Sequence, residues 1–263
     1  MRGTQDVQKF QANLQRGGTG LDEMRRLLEA YSEHGDLEKL KRQVFKENLL
    51  GKTSDHLLKD LFSAFKRRFL RSFGFPSVNI VAKAMVSKIP EAGKKQILFP
   101  YFIRSDALVE EVYLKLVVPR LDSANPSLAT DEVFTYLKSL GDDHPELKNW
   151  SEYLRLRWSR GFLALLRHFD LMERYPSFRI KHLWLLLEPF AFFWLWFWQQ
   201  EQSFWAAEKK DIWVLLQLKE RDRSGLLAEG QLRGWWSFQR SGEIVQFQPK
   251  HKNVEEWLQY GLA

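Results

Sequence analysis

The stretch from Ile180 to Trp205, IKHLWLLLEPFAFFWLWFWQQEQSFW, sets the terms for the whole chain, because a run this apolar either crosses a membrane or fills a protein core. Its unbroken apolar part, Phe190 to Trp198, is nine residues long, and extension back to Leu183 takes in Glu188 and Pro189. A spanning helix needs roughly 20 apolar residues, whereas about 10–14 fits a buried helix. An acid near the middle of a span adds about 2.5 kcal/mol or more to insertion, and no second hydrophobic segment is present to partner this one. The expectation is a central buried helix whose Phe and Trp rings, each covering roughly 150–250 Å², fill the core of a soluble protein.

Composition agrees with that expectation. Of the 263 residues 44% are hydrophobic and 14% aromatic, enough for a sizeable core in one large domain or in two or three small ones sharing an interface. Cysteine is absent, which removes disulfides and thiolate metal sites. The N-terminus, MRGTQDVQKFQANLQ, lacks the apolar core of a signal peptide, so a cytoplasmic location is expected.

The net charge of +7 is unevenly placed. From Lys39 to Arg104 fifteen Lys or Arg face four acids, a surplus of eleven, whereas from Asp131 onward eighteen basic residues balance eighteen acidic ones. A local excess of this kind marks a polyanion-binding surface, for nucleic acid or for anionic lipid.

Periodicity predicts a mainly α protein: a helical bundle with helix–turn–helix and winged-helix-like parts and a small C-terminal β-hairpin. Leu21–His34 reads as one helix, with Met24, Leu27, Leu28 and Tyr31 inward and Gly35 as its stop. Asp36 caps a second helix that ends at Gly51, and Thr53 or Ser54 caps a third, Asp55 to about Phe73, with an apolar stripe of Leu58, Leu61, Phe62, Phe65 and Phe69. The short LGKTS turn would make these two a helix–turn–helix-like unit. Further helices are expected over Val78–Ile89, over Ala92–Arg104 with a disturbance at Pro100, and from Asp106 to Pro119. The segment PRLDSANPSLAT, 119–130, is the expected boundary between an N-terminal basic domain, 1–118, and a C-terminal domain, 131–263. In the second domain Trp150–Phe169 reads as a long helix, DLMERYPSFRIKH as a short β-wing, and WWSFQRSGEIVQFQP as a hairpin about Arg240-Ser241-Gly242.

Recognisable catalytic chemistry is missing. Gly51-Lys52-Thr53 resembles the tail of a phosphate-binding loop, but Lys46 stands where that motif needs glycine, and helix precedes it. The six His form no metal-ligand pair, and Glu110 and Glu111 point to different helix faces from one another, which weakens a nuclease site with Asp106. A non-enzymatic protein without cofactor is expected. Candidate DNA-binding residues are Lys52, Lys59, Lys66, Arg67, Arg68 and Arg71 for phosphates, and Arg157 and Arg160, on the long helix, for base edges.

The order of these elements resembles the BrxA family, the small accessory component of bacteriophage exclusion (BREX) defence systems. The resemblance rests on KENLLGKTSDHLLKDLFSAFKRRFL, NWSEYLRLRWSRGFLALLRHFDLM, LEPFAFFWLWFWQQ and the DIWVLLQL-to-hairpin region, and it spans about residues 10–260. The run 190–198 is richer in Phe and Trp than the family pattern. The resemblance implies a mostly helical protein that binds double-stranded DNA as a non-enzymatic partner of other BREX proteins. Two alternatives stand beside it: a helical RNA-binding protein of the antitermination-factor type, and a peripheral membrane protein using the same basic face.

Overall fold

The computed structural model describes residues 10–15 and 20–262 and is mainly α. In chain order, a 3-10 turn, Asn13–Gln15, precedes α1 (Leu21–His34), α2 (Leu37–Lys46), α3 (Asp55–Phe69), α4 (Val78–Val86) and α5 (Glu91–Arg104). Next come α6 (Ala107–Val112), continued by a π-helical turn, Tyr113–Val117, and a 3-10 turn, Val118–Arg120. They are followed by α7 (Thr130–Asp143), α8 (Pro145–Lys148) and α9 (Glu152–His168). The last part holds α10 (Leu187–Glu201), α11 (Phe204–Glu208), α12 (Ile212–Leu215), α13 (Glu220–Leu232), β1 (Trp236–Ser241), β2 (Ile244–Pro249) and α14 (Val254–Glu256), which passes into a π-helical turn, Trp257–Gly261.

The chain divides into two compact units, and neither is continuous in sequence. The first holds Phe102–His182 with the described residues of 10–20; the second holds Leu21–Tyr101 and 183–262. The crossings fall just before α1, between Gly20 and Leu21, within α5, between Tyr101 and Phe102, and just before α10, between His182 and Leu183. The segment 119–130, read from sequence as a boundary, lies inside the first unit.

Local signals explain the element ends. The Asp36 carboxylate accepts from the backbone N–H of Glu38 at 2.8 Å and of Lys39 at 3.2 Å, and Ser54 Oγ accepts from Leu57 N–H at 3.3 Å. These side chains satisfy donors that the first helical turn leaves open. Contrary to the sequence reading, α2 stops at Lys46, so an eight-residue connection, 47–54, and not a short turn, leads to α3. Asn48 (φ 51°) and Gly51 (φ 63°) bend that connection and Leu50 buries itself within it.

In the second unit α10 is the core. Phe190, Phe192, Phe193 and Trp194 are fully buried. Trp194 meets Phe204 edge-on at 5.1 Å and lies 5.9 Å from Phe247 of the hairpin, while Phe190 lies 5.5 Å from Trp213. Glu188 and Pro189, which break the apolar run, sit in the first turn of α10. There a carboxylate favours the helix dipole and proline loses no hydrogen bond. Among the described residues no helix is long and apolar enough to cross a membrane.

The hairpin forms, but Arg240 and Ser241 belong to β1 and the turn is Gly242-Glu243, not Arg240-Ser241-Gly242. Phe238 pairs with Phe247 and Ser241 with Ile244, leaving a two-residue turn in which Gly242 has φ 61°. The expected β-wing over 170–182 does not form as a strand pair: only the isolated bridges Met172–Ile180 and Ser127–Arg179 are present there among the described residues. Two backbone hydrogen bonds flank the Met172–Ile180 bridge, Glu173 N–H to the Arg179 carbonyl at 3.0 Å and Lys181 N–H to the Leu171 carbonyl at 2.8 Å, while Arg167 of α9 takes the Glu173 and Ser177 carbonyls.

Candidate nucleic-acid interface

Basic side chains of the second unit collect on α2, α3 and the segments after them. The stripe Leu58, Leu61, Phe62, Phe65 and Phe69 is buried as its spacing requires, which turns Lys59 and Lys66 outward on the opposite side of α3. The Lys66 ammonium sits over the Phe62 ring at 5.6 Å from its centroid. Such a contact at an exposed site is worth about 0.5–1 kcal/mol and leaves the charge available.

Among the described residues, Lys39, Lys46, Lys59, Lys66, Arg71 and Lys88 are exposed and take part in no ion pair. Other cations of the same stretch are neutralised: Lys83 by Glu255 at 2.6 Å, Lys94 by Glu91 at 3.2 Å, and Lys41 by Glu38 at 3.5 Å. The uncompensated part of the charge surplus therefore lies mostly along α2, α3 and the turn that follows.

Four residues proposed from sequence sit differently from that reading. Arg68 is only 6% exposed, because its position on α3 belongs to the buried side beside Phe65 and Phe69; it does not face solvent. Arg67 is half-buried. Arg71 is exposed but lies beyond α3, which ends at Phe69 and not at about Phe73 as expected from sequence. Lys52 is exposed only in part and is held 2.8 Å from Glu23 of α1. Partial burial pushes the Glu23 carboxyl up, and the hydrogen-bonded Lys52 ammonium, a backbone hydrogen bond and the charge of Arg26 together more than offset this, so it ends below the usual carboxylate range. Lys52 braces the 47–54 connection against α1.

In the first unit, Ser151 caps α9 by accepting from Leu154 N–H at 3.2 Å. Trp158 and Phe162 stack in its buried face, 5.6 Å apart. Arg157 and Arg160 are exposed, as the spacing predicts. Arg155 and Arg167 serve structure: Arg155 Nη2 donates to the carbonyls of Leu147 (2.9 Å) and Lys148 (3.2 Å). Arg167 donates from Nε to the Glu173 carbonyl at 3.1 Å and from Nη2 to the Ser177 carbonyl at 3.0 Å. Between Arg155 and Lys181 seven Lys or Arg face only Asp170 and Glu173, a local surplus of five hidden inside an overall neutral half.

The acids considered for catalysis are engaged in packing. Asp106 caps α6 through Leu108 N–H and Val109 N–H, Glu110 pairs with Arg104 at 3.0 Å, and Glu111 accepts from the Tyr136 hydroxyl at 2.7 Å. Burial, and then the hydrogen bond to the Glu111 carboxylate, push the Tyr136 phenol above its ordinary range.

Comparison with known proteins adds a family and a fold. The model of the family described as BrxA matches residues 8–193, ending within α10. The crystal structure of an uncharacterized protein from Magnetospirillum magneticum is similar over 70% of this chain and 91% of that chain, with a TM-score of 0.58 and 13% sequence identity. At that identity the likeness is one of fold. No curated protein matches.

Proposed function

The chain belongs to the BrxA family of BREX phage-defence accessory proteins, and on that premise we propose that it binds double-stranded DNA in the cytoplasm without catalysing a reaction on it. The observation that carries the proposal is the set of exposed, unpaired cations Lys39, Lys46, Lys59, Lys66, Arg71 and Lys88. A cation already held by a carboxylate gains little from a phosphate, whereas an unpaired one displaces a condensed counterion and adds about 0.9 to the salt slope on duplex DNA. Contacts of this kind position a protein on DNA without reading its sequence. Other BREX proteins are its natural partners, since an accessory component acts through a larger assembly.

Competition binding separates this reading from its rivals. Purified protein is offered labelled end-closed duplex DNA against unlabelled duplex, structured RNA and vesicles of 30% anionic lipid. Duplex as the strongest competitor supports the proposal. Displacement by RNA or vesicles at concentrations where duplex fails overturns it in favour of one of the other two.

A further inference from the structure

The loop 173–179 holds two aromatic rings out of the first unit's core. Tyr175 is 78% exposed and Phe178 37%. The loop is pinned and cannot easily fold these rings inward. Arg167 grips the Glu173 and Ser177 carbonyls, Ser177 Oγ donates to Glu173 Oε2 at 2.8 Å, and Leu128 N–H donates to the Phe178 carbonyl at 2.9 Å. Both rings line one open groove of about 560 Å³ together with Leu156, Arg160 and Leu163 of α9 and Asp131 at the start of α7. Arg160 is exposed and is in no ion pair among the described residues. Arg174 and Arg179 are exposed on the same loop.

We propose that this groove binds single-stranded DNA, stacking an unpaired base on Tyr175 and Phe178 while Arg160, Arg174 and Arg179 meet the adjoining phosphates. Exposed rings interleaved with cations are the arrangement that holds single strands, because every base has a face to stack whatever its sequence. The local surplus of five positive charges between Arg155 and Lys181 selects a polyanion over a neutral peptide. The Asp131 carboxylate in the same groove disfavours a bare anion and leaves an aromatic ligand with its charge displaced to the rim. The proposal rests on the DNA-binding reading and adds to it a second form of the ligand, held by a different unit from the one carrying Lys59 and Lys66.

The test uses the full chain, a 20-nucleotide oligo-dT strand and an end-closed duplex, with affinity measured for each by fluorescence anisotropy. Tyr175→Ala/Phe178→Ala should weaken oligo-dT binding by roughly five- to a hundred-fold, the loss that follows removal of a base–aromatic stack. Its duplex affinity should stay within about two-fold of wild type, and Tyr175→Trp should retain oligo-dT affinity. Circular dichroism checks that the variants fold, which the exposure of both rings favours. Wild-type oligo-dT affinity in the folded double variant overturns the proposal, as does a wild type that binds duplex but no single strand. A wild type that binds oligo-dT through these rings but no duplex leaves the groove standing and removes the duplex reading.

Discussion

Gly230 of α13 lies directly against the indole of Trp236, so close that a Cβ at this position would be driven into the ring. The ring is fully buried, and its Nε1 donates to the Leu227 carbonyl at 2.8 Å, so it has nowhere to retreat. Alanine is favoured over glycine within a helix by about 1 kcal/mol, but overpacking a core costs about 1–3 kcal/mol and a strained buried hydrogen bond about 1 more. The clash wins: Gly230→Ala is expected to destabilise the protein by about 1–3 kcal/mol, read as a lower urea midpoint by tryptophan fluorescence. A midpoint at or above wild type would show that the hairpin is not seated against α13 in this way.

Arg68 and Lys59 occupy the same helix and should behave in opposite ways. Arg68→Ala removes a buried stem and is expected to cost about 1–3 kcal/mol. Lys59→Ala touches an exposed position and should stay within about 0.5 kcal/mol while weakening DNA binding. Paired denaturation and binding curves for the two variants check this, and equal stability of both would contradict the placement of Arg68.

The Lys52–Glu23 pair predicts a small effect with a definite pH sign. Glu23 has its folded pKa depressed, so its contribution is present above the unfolded carboxylate value, about 4.3, and is lost as pH falls through the lower folded value. Because both side chains are partly exposed, Lys52→Ala should cost less than about 1 kcal/mol at pH 7. The difference from wild type should shrink below pH 4. A stability difference that grows on acidification would contradict it.

Local features were readable from sequence, and long-range ones were not. The bounds of α1, the stripe of α3, the caps at Asp36 and Ser54, the register-bearing aromatics of the hairpin and the buried nature of α10 all follow from spacing and short-range hydrogen bonding. The residues around Arg67 show where such reasoning stops. Which side of a cationic run faces inward depends on the partner helices, and Arg68 falls inside the contact side although its type suggests solvent. The 170–182 segment alternates like a wing, yet its pairing is limited to one bridge, and its Glu173 and Ser177 carbonyls go to Arg167, a residue on another element whose direction no local pattern encodes. The two units are each built from separated stretches, so a Pro-rich segment such as 119–130 could pose as a boundary while lying inside one of them. The positive cluster on α9 and its loop was lost by averaging over half the chain.

The most direct test of the central claim is a salt titration of end-closed duplex binding for wild type and a Lys59→Ala/Lys66→Ala/Arg71→Ala variant. All three side chains are exposed and in no ion pair among the described residues, so the variant should fold normally. Its affinity should fall alike for duplexes of unrelated sequence, and its slope of log affinity against log salt should be shallower by about two to three units, near 0.9 for each lost phosphate contact. A folded variant with wild-type affinity and slope would contradict the assignment of DNA binding to the α2–α3 face.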